Sequence, residues 1–354
     1  MTGPIKKINL GIAGMLMAAA PLCAQDDTSC KPMCEPVCPP KPCCEPKERS
    51  PCCPPTCNAS PYCGVNCIPE PYCGEFNVKG ELLYWTASLG GLEAAFGNTQ
   101  VATTVSPTAV ITTTIKESDV HPESEWRPGY RVGADLAFGC FDLEADWTHY
   151  DGRSTFHEDG QHGHWKIKYD TIDLLFARRF SVAPCFAFKP FIGIRGLKVH
   201  QTLKSHLETF FLAGVVGNNT VFTVKNDKEK FWGLGPEFGV EADWYIGCGF
   251  DLFASFDVVM YYGTVRGSNY DVNTFPTTVS VSNGTRNRYF NNIGTDAAVG
   301  IRWDTAWTYC DYDILFMLKV AAEQHRIYDF SDLGSDGTLS LDGGVVSAGI
   351  GIRY

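Results

Sequence analysis

The last ten residues, Val345 to Tyr354, alternate without a break. Val346, Ala348, Ile350 and Ile352 are apolar, the odd positions between them are small or carry Arg353, and the final residue is aromatic. This is a period-two strand with one greasy and one polar face. Chain ends fray in most soluble domains, so a regular amphipathic strand there is unusual. A membrane barrel has a reason to keep one, because its last strand must close on its first and leave no backbone edge in lipid.

The formal net charge of -11 argues against a nucleic-acid binder, which would be basic. No stretch approaches the ~18 continuous apolar residues of a helical span. The mean hydropathy of -0.10 is compatible with a barrel, where half of the strand residues face water.

Residues 1–24 read as a secretory signal: Lys6 and Lys7 precede an apolar run from Ile8 to Ala20, and cleavage is expected after Ala24. Ala20-Pro21-Leu22 is a poor context for lipid attachment at Cys23. Residues 25–74 form a Cys/Pro-rich segment with too few large apolar residues for a core. It holds Cys30, Cys34, Cys38, Cys43, Cys44, Cys52, Cys53, Cys57, Cys63, Cys67 and Cys73, and repeats Pro-Tyr-Cys-Gly at 61–64 and 71–74. After export these cysteines are expected in disulfides, with the segment otherwise disordered. The spacing lacks paired Cys-x-x-Cys knuckles and a nearby histidine, which disfavours a metal cluster.

From residue 75 to 354 the texture is alternating, and ten strands are predicted, at about 76–88, 127–139, 141–151, 166–182, 186–200, 230–246, 250–263, 288–304, 310–324 and the terminus. The fold class is all-β, a transmembrane antiparallel β-barrel. Lys189-Pro190-Phe191 predicts a bulge or an edge irregularity in the fifth strand. Connections after odd strands are long and polar (89–126, 152–165, 201–229, 264–287, 325–338), and those after even strands are tight. That asymmetry places the long loops outside the cell and the tight turns, the cysteine segment and the C-terminus in the periplasm. The count becomes twelve if Val101 to Ile115 and Val221 to Val224 add a membrane hairpin. The eight tryptophans fall near strand ends and are expected in interfacial girdles.

Charged residues cluster on the faces predicted to point inward. Asp135, Glu144, Asp146, Glu241, Asp243, Asp257, Asp296, Arg302, Asp313 and Lys319 are the expected pore-lining set. A basic side chain facing lipid at midplane costs about 2–4 kcal/mol, so the lumen is their place. Two readings stay open: a wet channel with an acidic, cation-favouring wall, or a barrel plugged by internal salt bridges. Cys140, Cys185, Cys248 and Cys310 each lie at a tight turn, on the same rim as the cysteine segment. Removing Cys23 with the signal leaves 15 of the 16 cysteines, an odd number, so at least one is free or bonded to another chain. His157, His162 and His164 read as part of a solvated loop rather than a metal site. No nucleophile motif, phosphate loop or catalytic carboxylate pair is present, so neither an enzyme nor a cofactor is expected.

Several runs resemble one family. Glu81-Leu82-Leu83-Tyr84-Trp85 is similar to the opening strand of the Legionella-type major outer membrane proteins, which also occur in chlamydia-like bacteria. Trp126-Arg127-Pro128-Gly129-Tyr130-Arg131 resembles the second-strand signature. Lys189 to Gly196 and Gly235-Pro236-Glu237-Phe238-Gly239 resemble later ones. The resemblance spans about 76–354 and implies a pore-forming barrel in the bacterial outer membrane, passing small hydrophilic solutes or ions. The cysteine-rich segment departs from the family's plain N-terminus and looks like the disulfide-linked envelopes of chlamydia-type bacteria. A disulfide-linked homo-oligomer, or other cysteine-rich envelope proteins as partners, would follow. The alternative is a non-conducting structural or adhesive barrel.

Overall fold

The computed structural model describes residues 74–90, 99–105, 111–117, 123–138, 141–158, 161–183, 185–212, 218–274, 279–309, 312–331, 333 and 337–353. The signal sequence and the whole cysteine-rich segment lie outside them.

Among the described residues, ten long strands make one antiparallel ring. They are β1 Glu75–Leu89, β2 Arg127–Phe138, β3 Phe141–Glu158, β4 Gln161–Ala177 and β5 Phe186–Leu212. They continue as β6 Asn218–Gly247, β7 Phe250–Thr274, β8 Val279–Tyr309, β9 Tyr312–Ile327 and β10 Leu339–Arg353. Each pairs with the next, and β10 returns to β1 in unbroken register from Glu75↔Arg353 to Leu89↔Leu339. The terminal alternation therefore does what an edge-free barrel requires: Val346, Ile350 and Ile352 face out while Ser347 and Gly351 face in.

The outer wall is a band of large apolar side chains, including Leu82, Val132, Ile172, Ile194, Phe238, Phe256, Val299 and Val320. In water such a surface would be an aggregation site; against lipid it is the transmembrane face. Exposed tryptophans stand near both margins of the band, with Trp126, Trp147 and Trp232 toward one end and Trp244 and Trp307 toward the other.

Several expectations are corrected. The long polar connections are mostly strand: β3 and β4 run on past the lipid band to pair at Glu158↔Gln161, β5 and β6 at Leu212↔Asn218, and β7 and β8 at Thr274↔Val279. Their polar, β-branched and aromatic residues keep alternating, and pairing satisfies the backbone as well in water as in lipid. The count stays at ten. Val101 lies in a separate hairpin, Thr99–Val105 with Ile111–Glu117, and Val221 to Val224 belong to the extended β6. The fourth strand ends at Ala177, and a short strand, Phe180–Ala183, pairs onto β5.

No bulge forms at Lys189-Pro190-Phe191 on the β6 side, where Pro190 holds register with Val240, but the ladder on the other side is interrupted between Ala177 and Phe180. The Pro190 carbonyl accepts from Arg178 N, just past the end of β4, so the missing proline N–H falls where no ladder partner is needed. The tight β6–β7 turn uses Gly247, Cys248 and Gly249 at φ 124°, 53° and 79°, a left-handed path that suits glycine.

Trp85 and Trp165 are not girdle residues. Both point inward and are fully buried, together with Leu83, Tyr150, Ile167, Phe231 and Tyr261. Leu82-Leu83-Tyr84-Trp85 is apolar on both faces, which marks a strand that faces lipid outside and a packed interior inside.

Candidate functional site: the charged lumen

Because side chains alternate in and out, the inward positions of all ten strands share one lumen. At the end with the tight turns, Arg302 of β8 contacts Glu241 at 3.3 Å, Asp243 at 2.9 Å and Asp251 at 3.2 Å. Arg179 approaches the same Asp243 at 3.2 Å, and Arg353 reaches Glu75 at 3.2 Å and Asp313 at 3.8 Å. Next to these, Lys79 of β1 bonds Glu144 and lies 3.2 Å from Asp146 and 3.6 Å from Asp135. Lys189 of β5 faces Asp142 at 3.7 Å and Glu144 at 3.9 Å.

At mid-height two arginines act as hubs between non-neighbouring strands. Arg131 of β2 donates to Glu81 at 2.6 Å and holds Glu323 of β9 by two bonds of 3.1 Å. Arg195 of β5 donates to Asp173 at 2.5 Å, to Glu237 at 2.8 Å and to Asp296 of β8, with Asp257 at 3.7 Å. His325 bridges Asp296 at 3.0 Å and Glu323 at 3.4 Å, which joins the two hubs. Lys319 reaches Glu81 at 3.4 Å.

These groups border an internal cavity of about 140 Å³. Its wall holds nine carboxylates (Glu81, Glu144, Asp146, Asp173, Glu237, Glu241, Asp257, Asp296, Glu323) against five lysines and arginines (Lys79, Arg131, Lys189, Arg195, Lys319). His325 joins the basic set, and carboxyl groups still outnumber basic side chains in this wall. Glu237 Oε2 is shielded and accepts no hydrogen bond from the described residues.

Toward the end with the long hairpins the lumen turns apolar. Trp85 and Tyr169 border the cavity, and beyond them the β9–β10 connection folds inward. Phe330 packs on Phe231 with ring centres 4.6 Å apart, and Leu333 joins the same cluster. Polar clamps hold this segment. Ser331 Oγ donates to Glu229 at 2.7 Å and accepts from Gln201 at 2.6 Å, while Asn292 Nδ2 donates to the carbonyls of Tyr328 and Asp329. Gly337, at φ 64°, turns the chain back so that its carbonyl accepts from Phe330 N and Ser331 N.

All ten residues of the predicted pore-lining set point inward. Glu144, Asp146, Glu241, Asp257, Asp296 and Lys319 border the cavity, while Asp135, Asp243, Arg302 and Asp313 stand in ion pairs nearer the tight turns. The set omits the hubs Arg131 and Arg195 and their partners Glu81, Asp173, Glu237 and Glu323. Parity from the outward Ile192 and Ile194 reaches Arg195, but Pro190 obscures the phase of that strand. Cys185 and Cys248 stand at the tight-turn end, unpaired with each other, and the other candidate cysteines lie outside the described residues. His157 and His162 face one another across the β3–β4 hairpin and are exposed on strands rather than in a loop. Among the described residues, no group of His, Cys, Asp or Glu has metal-binding geometry.

No curated protein matches this chain. Among solved structures, it is similar to the outer membrane protease OmpT of Escherichia coli, at 10% identity and a TM-score of 0.35, covering 79% of this chain and 97% of that one. A Pseudomonas aeruginosa FadL homologue matches at 10% identity and a TM-score of 0.31, over 82% and 96%. The toluene transporter TodX of P. putida matches at 9% and 0.32, over 80% and 90%. Residues 69–314 match the profile described as the Legionella pneumophila major outer membrane protein precursor. With most of its length in that match and a closed ring with an apolar exterior, the chain belongs to this family of outer-membrane β-barrels.

Proposed function

We propose that this barrel is a narrow outer-membrane pore that lets small hydrophilic solutes and ions diffuse passively, with a preference for cations. The observation that carries this reading is the mid-height cavity, walled by nine carboxyl groups against five lysines and arginines and His325. A carboxylate ring favours cations in a pore, and no chemical step is assigned to any residue. The long hairpins face outside in this reading. The tight turns, the cysteine segment and the C-terminus face the periplasm, where disulfides tie the barrel to its neighbours. Conductance of the purified full chain in a planar bilayer under a salt gradient tests it. A reversal potential of anionic sign contradicts the acidic-wall reading. Non-reducing electrophoresis tests the disulfides: oligomers should collapse on adding a thiol reductant.

A second reading is a non-conducting structural barrel, favoured by the apolar seal of Trp85, Phe231, Tyr261 and Phe330 across one half of the lumen. Swelling of vesicles in small sugars separates the two, because a permanently sealed barrel gives none.

A further inference from the structure

The chain is acidic, yet one part of its outer wall is strongly basic. Immediately beyond the apolar band on β4 to β7, the outward positions fall into two hydrogen-bonded rows. In the first, Lys168 pairs with His200, His200 with Lys230, and Lys230 with Arg266. In the second, Lys166 pairs with Thr202, Thr202 with Lys228, and Lys228 with Ser268. The four lysines and Arg266 are exposed. Lys168 makes one long contact, 3.9 Å to Asp151; among the described residues no ion pair joins Lys166, Lys228, Lys230 or Arg266 to a carboxylate.

Like charges directly opposed on neighbouring strands are destabilising, so the Lys230–Arg266 pair is better explained by an anion between them than by folding. The interleaved Thr202 and Ser268 hydroxyls add neutral donors of the kind a phosphate accepts. Burial, and then Lys166, Arg153 and Lys204, hold the nearby His164 imidazole below its usual range, in keeping with a positive local surface. At the corresponding positions beyond the band, β1 and β10 carry Thr86, Ser88, Ser340 and Asp342.

Ile172, Trp232, Leu234 and Tyr262 lie within a few residues of these cations on the same strands and face lipid. A ligand that uses both surfaces has acyl chains and a phosphorylated head. We propose that the basic face of β4–β7 binds the phosphorylated headgroup of an outer-leaflet glycolipid, fixing a lipid annulus on that side of the barrel. This rests on the orientation proposed above, which puts the long hairpins outside.

The test is native mass spectrometry of the full chain released from vesicles containing bisphosphorylated lipid A or its dephosphorylated form. The wild-type protein should retain the phosphorylated lipid selectively, and millimolar inorganic phosphate should not strip it. The Lys228→Gln/Lys230→Gln/Arg266→Gln variant should lose retention about tenfold or more, whereas Arg326→Gln on β9 should not. Equal retention of both lipids, unchanged retention by the triple variant, or full displacement by inorganic phosphate would each overturn the proposal. Faster migration of the unheated barrel than of the boiled chain on electrophoresis checks that the variant is folded. An epitope inserted between β7 and β8 and read on intact cells tests orientation separately. A surface-exposed epitope without lipid retention refutes the lipid site alone, and a hidden epitope refutes the orientation.

Discussion

The inner wall and the basic outer face hold charges under opposite rules. Inside, every cation is caged: Arg195 has four carboxylates within 4 Å, and Arg302 has four. Outside, Lys166, Lys228, Lys230 and Arg266 have none among the described residues. Shielded charges cost several kcal/mol each unless paired, so the lumen must satisfy them internally. The outer cations sit in solvent or among headgroups and pay no such penalty, which frees them to bind something else. Charge serves to assemble the barrel in the first region and to contact its surroundings in the second.

The largest expected effect is therefore inside. Arg195→Met removes the cation shared by Asp173, Glu237, Asp257 and Asp296. Leaving several carboxylates together without it should cost about 3–5 kcal/mol or block assembly. Urea unfolding in lipid vesicles, followed by tryptophan fluorescence, reads this. A variant as stable as wild type would show that water, not Arg195, satisfies those acids.

Phe330→Ala acts on the seal rather than on the charges. Removing a buried phenylalanine costs about 3 kcal/mol at the low end of the usual range. Because Phe330 comes from the β9–β10 connection and not from the ring, the barrel should survive. Single-channel conductance should rise severalfold if the apolar cluster limits flow. Unchanged conductance in a folded variant would place the constriction at the Arg131–Glu323 level instead.

How much of this was legible beforehand follows from the same contrast. Outward phase was readable wherever lipid imposes one rule, as on β7 from Phe250 to Tyr262. Inward phase was readable only where the lumen is charged, as at Asp257 and Asp296. The girdle role expected of Trp85 does not follow from phase, because an interior that is wet at one height and packed at another imposes no single pattern. The inward place of Arg131 is readable from its strand's phase, but the hub role of the two arginines is not, for a related reason. Arg131 and Glu323 lie 192 positions apart, on strands that do not pair, so only ring closure brings them together. The paired extensions of β3 to β8 have the polarity of loops in the sequence, although strands outside lipid are free to be polar on one face.

A subtler change tests the selectivity of the wall. Lys319 contacts Glu81 and, more weakly, Glu323, and its ammonium lies 5.2 Å from the centre of the Phe253 ring. Glu81 and Glu323 keep Arg131 as a partner, so Lys319→Gln removes one cation from the cavity wall without orphaning either acid. Stability should change by about 1 kcal/mol or less, while the reversal potential in a salt gradient should move further toward the cation limit. The outer face supplies the control: Lys228→Gln should leave stability within about 0.5 kcal/mol and selectivity untouched. If Lys228→Gln shifts the reversal potential as much as Lys319→Gln, ions sense the whole molecule's field rather than its lumen, and the division between the two walls fails.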